Sequence, residues 1–235
     1  MPEKTKKEAF NIDLEEMIGA GLHLGSRTSK TNPKMKPYIY GSKNTIHIID
    51  VEKTKEKLIE ALDFIQSLIA ENKMLLLVGT KVQIKKILKE TAEACNLSYV
   101  SERWIGGTFT NFGTIQKRVE YYKDLEKKRK EGGLDKYTKK ERAKFDKEIK
   151  DLEFKFEGLR NLSRIPDACF ICDMIKDRLA VKEAKIKGVR VIGICDTNVD
   201  PSLTDYPIPA NDDAISSVKY ILDKVKEAIL KTKTK

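Results

Sequence analysis

Three aspartates, Asp50, Asp173 and Asp196, each follow an apolar run, at residues 45–49, 168–172 and 189–194. If those runs are parallel strands, the carboxylates stand at strand ends, where open α/β sheets place their chemistry. Together they would suit Mg²⁺ in a phosphohydrolase or receiver-like domain. The competing reading gives each one a helix or turn to cap. Capping is the better reading, because no phosphate loop accompanies them. Leu76-Leu-Val-Gly-Thr-Lys81 lacks the form G-x-x-x-x-G-K-[ST], and G-x-G-x-x-G is absent. Cys169 and Cys172 form a C-x-x-C pair. Positions i and i+3 of a strand face opposite sides, so the two thiols cannot grip one Zn²⁺, and no second pair completes a tetrahedron. His47 sits inside a β-branched run and reads as a core or edge histidine; His23, between Gly21 and Gly25, could meet phosphate or a metal. Neither Mg²⁺ nor Zn²⁺ has a supporting motif, and no cofactor is expected. No nucleophile and base are paired.

The chemistry the residues favour is phosphate binding. The chain has 235 residues and a formal charge of +10. Residues 17–49 contain no acid but hold Arg27, Lys30, Lys34, Lys36 and Lys43, with Tyr38 and Tyr40 among them. Pro33 and Pro37 restrict the backbone, so this strip is predicted to be an extended arm. Residues 115–160 hold sixteen basic and eleven acidic residues, and the remainder of the chain is balanced at twenty-five of each. Two segments therefore carry the entire excess, as a nucleic-acid backbone would require. The candidate nucleic-acid contacts are Arg27, Lys30, Asn32, Lys34, Lys36, Tyr38 and Lys43, joined by Arg103, Trp104 and Asn111 from Arg103-Trp-Ile-Gly-Gly107-Thr-Phe-Thr-Asn111. Arg103 would reach phosphate. Trp104 would either stack on a base or pack in the core.

These residues need a scaffold. Apolar runs at 45–49, 74–78, 98–100, 168–172 and 189–194 read as five strands, alternating with amphipathic helices and without hairpin turns. One helix carries Leu58, Leu62, Ile65 and Ile69 inward, and another Val82, Ile87, Ala92 and Cys95. The last, after Ala210-Asn-Asp-Asp213, carries Ile215, Val218, Leu222, Val225 and Ile229. The pattern gives an α/β fold: a flavodoxin-like, three-layer α/β/α arrangement on a five-stranded parallel sheet. Between residues 113 and 160 the alternation stops. Ile115, Val119, Tyr122 and Leu125 make one narrow stripe; Phe145, Ile149, Leu152, Phe156 and Leu159 make a heptad seam behind a Thr138-Lys-Lys-Glu141 capping box. This is predicted to be an inserted antiparallel coiled-coil hairpin that protrudes and pairs mainly with itself. The expected organisation is 1–44 (tail, short helix, basic arm), 45–112 with 161–230 (sheet domain), 113–160 (hairpin) and 231–235 (basic tail). No apolar run approaches a membrane span, the first ten residues have no apolar leader core, and four cysteines without framework spacing fit a reducing, cytoplasmic compartment.

From about residue 17 to residue 228 the chain resembles the bacterial-type small-subunit ribosomal protein S-two family. The likeness is carried by Gly21-Leu-His-Leu-Gly25, Asn32-Pro-Lys-Met-Lys-Pro-Tyr-Ile39, Ile46-His-Ile-Ile49, Arg103-Trp-Ile-Gly-Gly107, Thr110-Asn111, Asp196-Thr-Asn198 and Ile208-Pro-Ala-Asn-Asp-Asp-Ala214, in that order. The resemblance implies a flavodoxin-like domain with a coiled-coil insertion, no catalysis, and binding to small-subunit rRNA in the cytoplasmic ribosome. It implies neighbouring small-subunit proteins as partners, in many bacteria the mRNA-capturing protein S-one among them, and no membrane and no homo-oligomer. Two features depart from the family. Ser26 and Arg27 stand where many members have histidine and glutamine, and the sequence ends soon after its last helix without the acidic tail of some members. A free adaptor whose hairpin binds a protein is the remaining alternative.

Overall fold

The computed structural model describes residues 10–134 and 136–233. The chain begins with α1 (Leu14–Gly19), β1 (Leu24–Arg27), β2 (Ile39–Lys43), β3 (Ile46–Ile49), α2 (Val51–Ala70), β4 (Leu75–Val78), α3 (Lys85–Cys95) and β5 (Ser98–Val100). It continues through α4 (Phe112–Lys130), α5 (Lys139–Phe156), β6 (Ala168–Ile171), α6 (Arg178–Lys187), β7 (Arg190–Cys195), β8 (Tyr206–Pro209) and α7 (Ile215–Lys233). Residues 1–9, at the start of the expected tail, lie outside the described residues, and Phe10 is already part of the core. At the other end α7 runs through Lys233, so the first three residues of the predicted basic tail are helical.

Five strands form a parallel sheet in the order β5-β4-β6-β7-β8, which is 2-1-3-4-5 when only these strands are counted. That is the flavodoxin-like order. Strand periodicity divides the core in two. Leu75, Leu77, Phe170 and Cys172 pack under α2, α3 and α7, while Leu76, Val78, Cys169 and Ile171 face α6 and the apolar residues of α4 and α5. Cys169 and Cys172 therefore lie on opposite faces and share no ligand. Within α3 the predicted inward Val82 is exposed, because the helix begins only at Lys85; Ile84 and Leu88 fill the core instead.

The number of parallel strands matches expectation but their membership does not. Residues 46–49 belong to a second, antiparallel sheet ordered β1-β3-β2. Its β2–β3 hairpin turns through Asn44 and Thr45, both left-handed (φ 50° and 64°), the two-residue geometry that matches strand twist. The fifth parallel strand is β8, whose Tyr-Pro-Ile-Pro sequence hides it. As the edge strand next to β7 it tolerates both prolines.

The basic strip is not an extended arm. Thr28–Lys30 and Pro33–Tyr38 are 3₁₀ turns, and Asn32 caps the second by accepting from the Lys34 amide at 3.0 Å. Pro33 occupies the first helical position, where the missing N–H has no intrahelical partner to lose. Met35 is fully buried and pins the strip to the second core.

Helices α4 and α5 pack side by side through Ile115, Val119, Tyr122 and Leu125 against Ile149, Leu152 and Phe156. Arg129 and Asp146 pair across them at 3.4 Å, and the Thr138–Glu141 capping box is formed. Arg160 donates to the Tyr122 hydroxyl and pairs with Glu126 at 2.9 Å. The stripe joins Val100, Phe109 and Ile171 in one cluster, so the lower parts of α4 and α5 belong to the domain core. Among the described residues no helix is long and apolar enough to cross a membrane.

Candidate nucleic-acid interface

The strip is clamped to the C-terminal rim of the sheet by the loop that follows β7. Asp196 accepts from the Ser26 amide at 3.1 Å and from the Ser26 hydroxyl, and the Thr197 carbonyl accepts from the Asn32 amide at 2.8 Å. Gly25 permits this approach, since a Cβ there would stand 2.6 Å from Thr197 Cγ2. Lys34 reaches Asp200 at 2.7 Å and Ser202 Oγ at 2.9 Å. Its ammonium, with Ser202, holds the Asp200 carboxyl down at about 2. Thr31 bonds His47 Nε2, so this histidine ties β3 to the strip. Arg27, Lys30, Lys36 and Lys43 project into solvent, and among the described residues none of the four lies within ion-pair reach of a carboxylate. Tyr38 is half-buried and its carbonyl accepts from the Asp50 amide, whereas Tyr40 is 82% exposed. Burial raises the Asp196 carboxyl above the usual range, against the donors from Ser26 and Thr197.

Arg103, Trp104 and Asn111 follow β5, at the same end of the sheet but nearer its other edge. Three strand spacings separate β5 from β7, about 14 Å. Arg103 and Asn111 are exposed, Asn111 accepting from the Thr114 hydroxyl at 2.9 Å. Trp104 is not a stacking platform. Its ring is 7% exposed, packs edge-on against Phe109, and donates to Glu183 at 3.2 Å. Glu183, on α6, went unnoticed in the sequence. Its buried carboxylate also accepts from the amides of Gly107 (2.8 Å), Phe109 (2.9 Å) and Thr110 (3.1 Å). Burial alone would raise its carboxyl, but these amides outweigh it and hold the group below the ordinary range. Gly107, at φ 95°, lets the loop turn its amides inward. One carboxylate thus organises the loop that presents Arg103.

Open α/β sheets bind ligands where the strand order reverses, here between β4 and β6. That crevice is filled from within. Thr80 donates its amide (3.2 Å) and hydroxyl (2.8 Å) to Asp177. Lys81 Nζ contacts Asp173 at 3.1 Å, Asp212 at 3.3 Å and Asp213 at 2.6 Å. The three aspartates weighed as a metal cluster do not converge. Asp50 caps α2, Asp173 accepts from Ile175 and Lys176, and Asp196 holds Ser26. Carboxylate oxygens of Asp196, Asp212 and Asp213 do come within 4.8 Å of one another, but the Lys81 ammonium already supplies positive charge beside two of them.

The crevice is thus occupied by the chain's own ion pairs, beside a rim on which, among the described residues, Arg27, Lys30, Lys36 and Lys43 have no carboxylate partner. The comparison with known proteins gives the family. The model described as Ribosomal protein S2 matches residues 17–232. The small ribosomal subunit protein uS2 of Dictyoglomus turgidum (strain DSM 6724 / Z-1310) is 44% identical over 220 residues, which is 94% of this chain and 89% of that protein. The chain belongs to the ribosomal protein S2 family, whose members are structural components and not enzymes.

Proposed function

We propose that this chain is a structural constituent of the small ribosomal subunit in the cytoplasm, attached by neutralising rRNA phosphates. The observation that carries the reading is the confinement of the net charge to residues 17–49 and 115–160, with Arg27, Lys30, Lys36 and Lys43 exposed and, among the described residues, without a carboxylate partner. Arg27, Lys30, Lys36 and Lys43 make the primary contacts, Lys34 joins them by exchanging Asp200 for phosphate, and Arg103 and Asn111 extend the surface toward the hairpin. The paired helices act as a coiled-coil arm bearing the second basic segment. Phosphate contacts of this kind position a protein and carry no base code. Neighbouring small-subunit proteins, the mRNA-capturing S-one protein included, are partners on the strength of the family resemblance, and the chain serves as a single copy. The test is incorporation. With Lys36 and Lys43 both replaced by Ala, the chain should cosediment with small subunits less well at every salt concentration, and full occupancy would remove the strip from the interface.

A further inference from the structure

Where α4 and α5 meet the sheet domain lies a groove of about 590 Å³, within the range that accommodates a small ligand. Its floor is apolar. Phe154 (55% exposed), Leu179 (44% exposed) and Ile105 leave hydrophobic surface open to solvent. Arg103, Arg118 and Lys155 rim it, all three exposed, and among the described residues no carboxylate lines it. Among the described residues none of these three cations has an ion-pair partner, whereas other surface bases nearby do, such as Lys85 with Glu102 and Lys89 with Glu157. Lys85, itself paired with Glu102, stands 5.9 Å from the Phe154 ring centroid, and the exposed ring together with the unpaired cations of the rim has the constitution of a single-strand binding platform, in which a base stacks and its phosphates are neutralised.

We infer that this groove seats an unpaired base of small-subunit rRNA, stacked on Phe154, with the flanking phosphates on Arg103, Arg118 and Lys155. The inference rests on the rRNA reading above and adds a second kind of contact to it. An RNA duplex does not offer base faces, so the target is a loop, bulge or end. Stacking on an aromatic tolerates any base, which makes the contact specific for shape and position along the rRNA rather than for sequence.

The experiment uses the full chain and a small-subunit rRNA transcript, with affinity measured against salt and base reactivity mapped by chemical probing. Phe154→Ala should weaken binding roughly ten-fold, leave the salt slope unchanged, and restore reactivity to one or two bases within an otherwise intact footprint. Phe154→Trp should retain binding. Arg118→Ala should instead make the salt slope shallower by about one. Phe154 is exposed, so an unchanged melting temperature should accompany the loss. If wild type binds with steep salt dependence and Phe154→Ala has the same affinity and footprint, the groove does not hold RNA. If Phe154→Ala leaves the footprint intact but loses a neighbouring protein from assembled subunits, the groove belongs to a protein and the inference falls. Failure of the wild-type chain to bind rRNA would overturn the underlying reading as well.

Discussion

Replacing Glu183 with Ala should unmake the loop that carries Arg103. The carboxylate accepts from Trp104 Nε1 and from the amides of Gly107, Phe109 and Thr110. Gly107 and Thr110 are partly exposed, so water can replace their partner. Trp104 and Phe109 are buried and their donors would be orphaned, at roughly 1–3 kcal/mol each, or about 4 kcal/mol together. At roughly 2–4 °C per kcal/mol for a domain of this size, the melting temperature should fall by about 12 °C. Trp104 is the only tryptophan, so its fluorescence reports the loop directly and should shift to longer wavelength. Glu183→Gln should lie between. Its oxygen can serve two donors, but its amide nitrogen would face the others. The pH dependence follows from the lowered carboxyl. The contribution is fully present above roughly pH 4 and is lost as pH falls through the lower folded-state value. A Glu183→Ala protein with wild-type emission and a melting temperature within about one degree of wild type would refute this reasoning.

Lys81→Met leaves Asp173 and Asp212 buried without their counter-charge and should cost about 3–5 kcal/mol in urea unfolding; a cost below about 1 kcal/mol would mean that Lys81 contributes little to filling the crevice. Burial, with Asp173 nearby, raises the Asp212 carboxyl to about 7 despite Lys81, so its folded-state value exceeds the unfolded one. Its contribution to stability should therefore fall as pH rises from about 4 to about 7, and Asp212→Asn should flatten that slope; identical slopes for the two proteins would contradict the assignment. Gly25→Ala should destabilise by about 1–3 kcal/mol through the clash with Thr197, while Gly41→Ala, which meets nothing within 4 Å, should be nearly neutral in the same assay.

What the sequence made legible follows from how each signal arises. The runs at 74–78 and 168–172 are unbroken apolar stretches, which only strands covered on both faces require, and they became β4 and β6. Residues 46–49 carry a strand signal of their own, three isoleucines around His47, but a strand's composition does not say which sheet it joins, and here pairing with β1 and β2 took it out of the parallel sheet. Tyr206–Pro209 was hidden because its prolines argue against any central strand, and its edge position could not be known beforehand. The prolines of the strip suggested extension, yet Pro33 after a capping Asn32 starts a 3₁₀ turn equally well. Within the interface, charge counting located the strip because exposed cations leave a mark on composition. Glu183 left none. It is one acid on an ordinary amphipathic helix, and its importance comes from donors more than seventy residues away. Lys81 likewise fell on a regular column with Lys85 and Lys89 that resembles a solvated face until their acidic partners are in place.

The most direct test of phosphate neutralisation is the affinity of the full chain for small-subunit rRNA measured across a salt series. With about six phosphates neutralised, log K against log salt should have a slope of roughly −5, reduced by about two when Lys36 and Lys43 are both replaced by Ala. A salt-insensitive affinity, or a slope unchanged in the double variant, would contradict binding through the basic strip.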